Sequence, residues 1–156
     1  MTLSQSLWLA TAAYGVHILE EFALDWRDWA RAVIRLPVEW SDFYVVNALV
    51  IVLGAVAANL ADAMPGVALA FPALMLINAV FFHIGPVVAT RGRFSPGLIT
   101  AVVLFFPMGI ACFWAAHAAG QLNAGTIATA FAIGAALMAA PIVLLRIKDR
   151  PYFRQA

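Results

Sequence analysis

Residues 66–89, GVALAFPALMLINAVFFHIGPVVA, contain no Asp, Glu, Lys or Arg. As a helix rising 1.5 Å per residue, such a stretch exceeds the roughly 30 Å thickness of a bilayer's hydrocarbon core. The rest of the chain has the same character. Of its 156 residues, 65% are hydrophobic and only 11% charged, against about 25% charged in a soluble domain. Mean hydropathy is +0.94. Ala and Leu dominate and period-two alternation is missing, so the fold class is all-α, a polytopic membrane bundle forming one domain over residues 1–156. Nine basic against eight acidic residues give a net charge of +1, which carries no nucleic-acid footprint.

Five stretches have the length to cross: about residues 7–24, 41–61, 66–89, 95–118 and 124–145. Met1 to Ser6 lack a basic n-region, so the first is read as a retained span rather than a cleaved signal. Arg27, Arg31 and Arg35 lie between spans one and two, and Arg91 and Arg93 between three and four. Arg146, Lys148, Arg150 and Arg154 follow span five. All nine basic residues thus fall on one side, which the positive-inside rule makes cytoplasmic. The N-terminus is then outside and the C-terminus inside, in a multi-pass protein of a bacterial inner membrane. Residues 25–36 contain Trp26, Trp29 and Val33 at helical spacing beside Arg27, Arg31 and Arg35. That pattern predicts a short interfacial helix with buried tryptophans and arginines facing lipid phosphates, an anchor or a lid.

The first span carries His17-Ile18-Leu19-Glu20-Glu21. On a helix His17 lies three residues before Glu20 and four before Glu21, spacings that share a face, and Tyr14 extends that face. Ionisable residues at membrane depth are costly and mark function. His17, Asn47 and His83 each fall about 9–10 Å from the cytoplasmic ends of their spans, so three spans place polar groups in one layer. Asn78, five residues from His83, falls on a different face of a regular helix. Pro86 leaves the carbonyl of Phe82 without its helical partner and predicts a kink beside His83. Cys112 and His117 read as a packing and an interfacial residue. Asp25, Asp28, Glu39 and Asp42 are expected to pair with the nearby arginines. Small residues such as Gly134 predict close packing of span five, and Ser41 and Ser95-Pro96 read as helix starts.

HILEE in the first span of a small polytopic protein, with a separate downstream histidine, resembles the HXXEE family of integral membrane proteins. The family's other histidine would fall on His83. The resemblance implies a metal-binding or catalytic centre and names no reaction.

Two adjacent carboxylates in an apolar medium repel one another and need a cation or a proton. The first solution is a divalent ion, zinc, iron or manganese, held by His17, Glu20, Glu21 and His83. Water activated there would hydrolyse or hydrate a hydrophobic, lipid-like substrate, with Glu20, Glu21 and His17 as catalytic groups. Asn47, Tyr14 and Asn78 would bind that substrate. The second solution is metal-free acid–base chemistry of the isomerase or cyclase type, in a pocket walled by Trp40, Tyr44, Phe81 and Phe82. A polar fastener between helices and a small ion- or proton-binding transporter are the remaining readings. Membrane lipids are the expected partners.

Overall fold

The structure, a computed structural model, describes residues 1–148 and 150–153; Arg154, counted above for sidedness, lies outside the described residues. Six helices follow one another: α1 (Leu3–Ala23), α2 (Trp26–Val33), α3 (Trp40–Leu60), α4 (Pro65–Ala89), α5 (Leu98–Ala118) and α6 (Ala124–Ile147). There is no strand among the described residues. Local chemistry sets the helix starts. Thr2 and Gln5 form a reciprocal capping box on α1, Glu39 and Asp42 do the same on α3, and the Asn123 side chain accepts from the N–H of Thr126 on α6. Pro65 opens α4, where its missing N–H costs nothing.

Four helices, α3 to α6, are long and apolar enough to cross a membrane. The first helix is not among them. It has 21 residues and begins at Leu3, four positions before the expected boundary, and it carries His17, Glu20 and Glu21. Its polarity points inward: Ser6, Thr11, His17 and Glu21 are buried, whereas Trp8, Leu9, Val16, Leu19 and Phe22 are exposed. The same inversion holds elsewhere, with Val45, Leu49, Val88, Val103, Ile110, Trp114 and Leu144 all outward. An apolar exterior of this extent is foreign to soluble monomers and, on helices of crossing length, marks a membrane protein.

In the bundle, α1 packs against α3 and α5, α4 packs against α5 and α6, and the core runs from Leu7 and Tyr14 through Leu74 and Phe105 to Ala130. Glycines set the closest approaches. A Cβ on Gly54 of α3 would meet Phe71 Cζ at 2.9 Å and the Thr11 side chain, and one on Gly134 of α6 would meet the Ala70 carbonyl at 3.0 Å. Lys148 at the end of α6 donates to Asp42 at the start of α3 at 2.8 Å. The ends bearing the basic residues of α2, the α4–α5 loop and α6 therefore gather at one end of the bundle.

The helix between α1 and α3 spans only eight residues, shorter than the expected 25–36. Trp29 and Ala30 bury against Leu36, Val38 and Leu145 of α6. Its arginines hold protein as well: Arg27 donates to Asp28 at 2.6 Å and to Glu39 at 2.7 Å, and Arg31 also bonds Glu39. The Arg27 hydrogen bond, reinforced by Arg31, holds the Glu39 carboxyl below the usual carboxylate range. A depressed carboxyl pKa means the tie is intact at neutral pH and is lost as pH falls through the folded value.

Two outcomes follow from this packing. Gly54→Val should lower the thermal midpoint by forcing α1 and α3 apart, at about 1–3 kcal/mol for over-packing, whereas Gly15→Ala, with nothing within 4 Å of its Cβ position, should be tolerated; differential scanning calorimetry in detergent distinguishes them. Acidification should release α2 only below about pH 4, the ordinary carboxylate range. A red shift of tryptophan emission reports the release, and Glu39→Gln should show it already at neutral pH.

Candidate metal centre

Three of the four expected ligands meet at one point. Glu21 Oε1 lies 3.5 Å from His17 Nε2 and 3.6 Å from His83 Nε2, and one ligand atom from each residue falls within 4.8 Å of the others. Ligands arranged tetrahedrally around zinc at about 2.0–2.2 Å sit roughly 3.3–3.6 Å apart, so two of the three separations already have that value. The imidazoles stand edge to face with centroids 4.8 Å apart. Both are fully buried, and Glu21 is 5% exposed. Neither Nε2 has a hydrogen-bond partner. Two buried nitrogens of this kind are expensive to leave unpaired, and a cation between them and the carboxylate satisfies all three. The donor set, two imidazoles and a carboxylate, is one that zinc, iron and manganese accept.

Glu20 is not in this group. Neighbouring helical residues diverge by about 100°, and Glu20 turns to the start of α5. Its Oε1 accepts from the backbone N–H of Gly97 at 3.1 Å and of Ile99 at 3.2 Å. Its Oε2 accepts from the Thr100 N–H at 2.7 Å and the Thr100 hydroxyl at 2.6 Å. A carboxylate at a helix N-terminus is where the orphan N–H groups and the helix dipole favour negative charge. Glu20 thereby clamps α1 to α5.

The loop between α4 and α5 supplies the remaining parts, and none was singled out for the site from sequence. Thr100 Oγ1 lies 2.7 Å from His17 Nδ1, and Ser95 Oγ lies 3.2 Å from His83 Nδ1. Ser95 does not start a helix; α5 begins at Leu98, and Ser95 is buried against His83. Its hydroxyl is also 3.3 Å from the carbonyl of Phe82. Gly97 has φ +91°, and a Cβ there would lie 2.5 Å from His83 Cε1, 2.7 Å from His17 Cε1 and 3.0 Å from Glu21 Cγ. The only sequence signal for these residues is two hydroxyls flanking a Pro-Gly pair just ahead of an apolar span.

The expected substrate residues gather beside the ligands. A cavity of about 80 Å³ is lined by Tyr14, Glu21, Asn47 and Asn78, with Phe82 and Trp26 among its walls. Asn78 Oδ1 is buried without a partner. Of the other aromatic residues expected there, Tyr44 and Phe81 face outward and Trp40 stacks on Tyr44. Phe105 covers His17 at a centroid distance of 4.2 Å. His117 lies at the end of α5 and Cys112 is buried in the core, both away from the cluster.

The molecule is thus a helical membrane bundle built around a buried His–Glu–His cluster. Residues 8–112 match the family described as "Protein of unknown function with HXXEE motif", and the chain belongs to that family. The matched stretch holds His17, Glu20, Glu21, His83 and the segment from Ser95 to Thr100, and ends before α6. No curated protein and no solved structure matches the chain.

Purified protein should carry close to one equivalent of a divalent metal by elemental analysis, and His17→Ala, Glu21→Gln and His83→Ala should each lose it. Gly97→Ala should weaken retention at least tenfold, because its methyl group occupies the space of the imidazole edges.

Proposed function

We propose that the protein is a multi-pass enzyme of the cytoplasmic (inner) membrane that holds one divalent ion on His17, Glu21 and His83 and hydrolyses or hydrates a hydrophobic, lipid-like molecule. The observation that carries this reading is the pair of buried, unpartnered Nε2 atoms aimed with Glu21 Oε1 at one point. A fastener between helices would not leave its nitrogens unbonded, since its only contribution is the hydrogen bonds it makes. The ion would supply Lewis acidity and a water that ionises near neutral pH. Glu21 both belongs to the cluster and lines the cavity, so its carboxylate can take up a proton released beside it. Asn47, Asn78 and Tyr14 orient the polar group of the substrate in the same chamber, and apolar walls exclude water around it.

The shape of the surrounding bundle favours a substrate drawn from the bilayer. A groove of about 490 Å³ runs between the start of α3 and the end of α6, with Val45, Val46, Pro141 and Leu144 among its walls. It shares Asp42, Val46, Pro141 and Leu145 with the inner cavity, so these side chains form the wall an apolar chain entering sideways at the bundle's basic end would part to approach Glu21. The first helix is taken as a fifth span, because its polar residues face the bundle and its apolar ones face out. The basic residues then orient the protein with its N-terminus outside and the site toward the inner leaflet.

The test is a panel of ester, amide and epoxide amphiphiles presented to the protein in liposomes. Turnover should vanish on chelation, return with zinc, iron or manganese, and be lost in Glu21→Gln. Turnover that survives complete metal removal would replace this reading with acid–base chemistry. Proton or ion flux without turnover would make the protein a transporter.

A further inference from the structure

We infer that Ser95 and Thr100 are the positioning residues of the site: their hydroxyls fix both histidines as Nδ1–H tautomers, and the first glutamate of HILEE acts through Thr100 rather than on a ligand. The inference follows from counting protons. Thr100 Oγ1 has one hydrogen and three polar neighbours: Glu20 Oε2 at 2.6 Å, His17 Nδ1 at 2.7 Å and the Gly97 carbonyl at 3.3 Å. Every other contact to the Glu20 carboxyl comes from a backbone N–H donor, so both its oxygens accept. The hydroxyl therefore donates to Glu20, or else to the Gly97 carbonyl, and in either case its lone pair is left to accept from His17 Nδ1–H.

The alternative tautomer fails on distance. It would turn the Thr100 hydrogen toward Nδ1 and set two oxygen lone pairs against each other at 2.6 Å. It would also place a hydrogen on Nε2, whose nearest acceptor, Glu21 Oε1, is 3.5 Å away, beyond the 2.7–3.2 Å of a protein N–H···O bond. At His83 the partner is a carbonyl rather than a carboxylate: Ser95 Oγ turns its hydrogen to the Phe82 carbonyl at 3.3 Å and accepts from His83 Nδ1–H. His83 Nε2 is 3.6 Å from Glu21. Both Nε2 lone pairs are then bare and point at the carboxylate, the state in which an imidazole binds a metal. One six-residue segment, Ser95 to Thr100, with Gly97 leaving room between the rings, sets the chemistry of side chains on two other helices.

This inference concerns the metal centre proposed above, and the experiment separates the two. The full-length protein is labelled with ¹⁵N-histidine in nanodiscs; it has three histidines, and His117→Asn and His83→Asn variants assign all three by elimination. Ring ¹⁵N shifts should report a protonated Nδ1 and a bare Nε2 for both His17 and His83 without added metal. Thr100→Val should remove that signature at His17 and retain it at His83, and Ser95→Ala should do the converse. Zinc affinity should fall about 10–100-fold in each, the usual effect of losing an outer-shell partner, and Thr100→Ser should restore it. An Nε2–H tautomer at either histidine in the unmodified protein overturns the inference, as does a Thr100→Val variant with unchanged tautomer and affinity. Correct tautomers in a protein that binds no zinc, iron or manganese would sustain the positioning role and defeat the metal reading alone.

Discussion

A carboxylate buried between two imidazoles governs this bundle. Glu21 is in a medium where an isolated charge is expensive, and its nearest nitrogens, at 3.5 and 3.6 Å, are too far to bond it directly. Such a gap collapses unless something holds the three side chains apart. The structure holds each from behind: His17 by Thr100, His83 by Ser95, and the backbone between them by Glu20. The three side chains come from α1 and α4, and their supports from the loop entering α5 and its first turn. No one of these elements can shift without disturbing the other two.

The two glutamates of HILEE divide the work through helix geometry alone. Residues one apart point about 100° away from each other, so a single α1 surface cannot offer both carboxylates to one ion. Glu21, four residues from His17, shares its face and joins it. Glu20 reaches sideways to the first N–H groups of α5, where a carboxylate satisfies three orphan donors and the helix dipole together. A short motif thus specifies a His–Glu pair and also the register of the helix that carries their support. Gly97 completes the joint, because its φ of +91° and the imidazole edges against it exclude a side chain on both counts.

What could be read from the sequence was whatever depends on a single helix. Membrane-length apolar helices, the shared face of His17 and Glu21 and the depth match with His83 all follow from local periods. What could not be read depends on which surface lies opposite. Glu20 seemed as fit a ligand as Glu21 because nothing in HILEE reveals that α5 begins beside it. Ser95 looked like a cap because a serine before a proline usually is one, and its true partners are a ring and a carbonyl on the preceding helix. The arginines of α2 were expected to pair with nearby acids, and Arg27 and Arg31 do take Glu39, but that Asp42 would turn instead to Lys148 depends on where the end of α6 lies.

Asn78 shows how a departure from regular helix geometry changes a site. On an ideal helix it and His83 face different directions. Here residues Ala79–Ile84 form a π-helical turn, whose i→i+5 bonding brings residues five apart toward one face, and Asn78 lines the cavity of Glu21 while His83 meets the same carboxylate. Pro86 follows this turn, and in α5 a second π turn, Ala101–Phe105, lies between Thr100 and Pro107. That turn ends on Phe105, the ring that covers His17. Both wide turns therefore fall at the level of the cluster, each next to a proline that already removes one helical hydrogen bond. In a bilayer such irregular backbone persists only where protein or a cavity satisfies it. Within the wide turn of α4 the Phe82 carbonyl accepts from Ser95, the residue that holds His83, so the distortion and the support of the site are one construction.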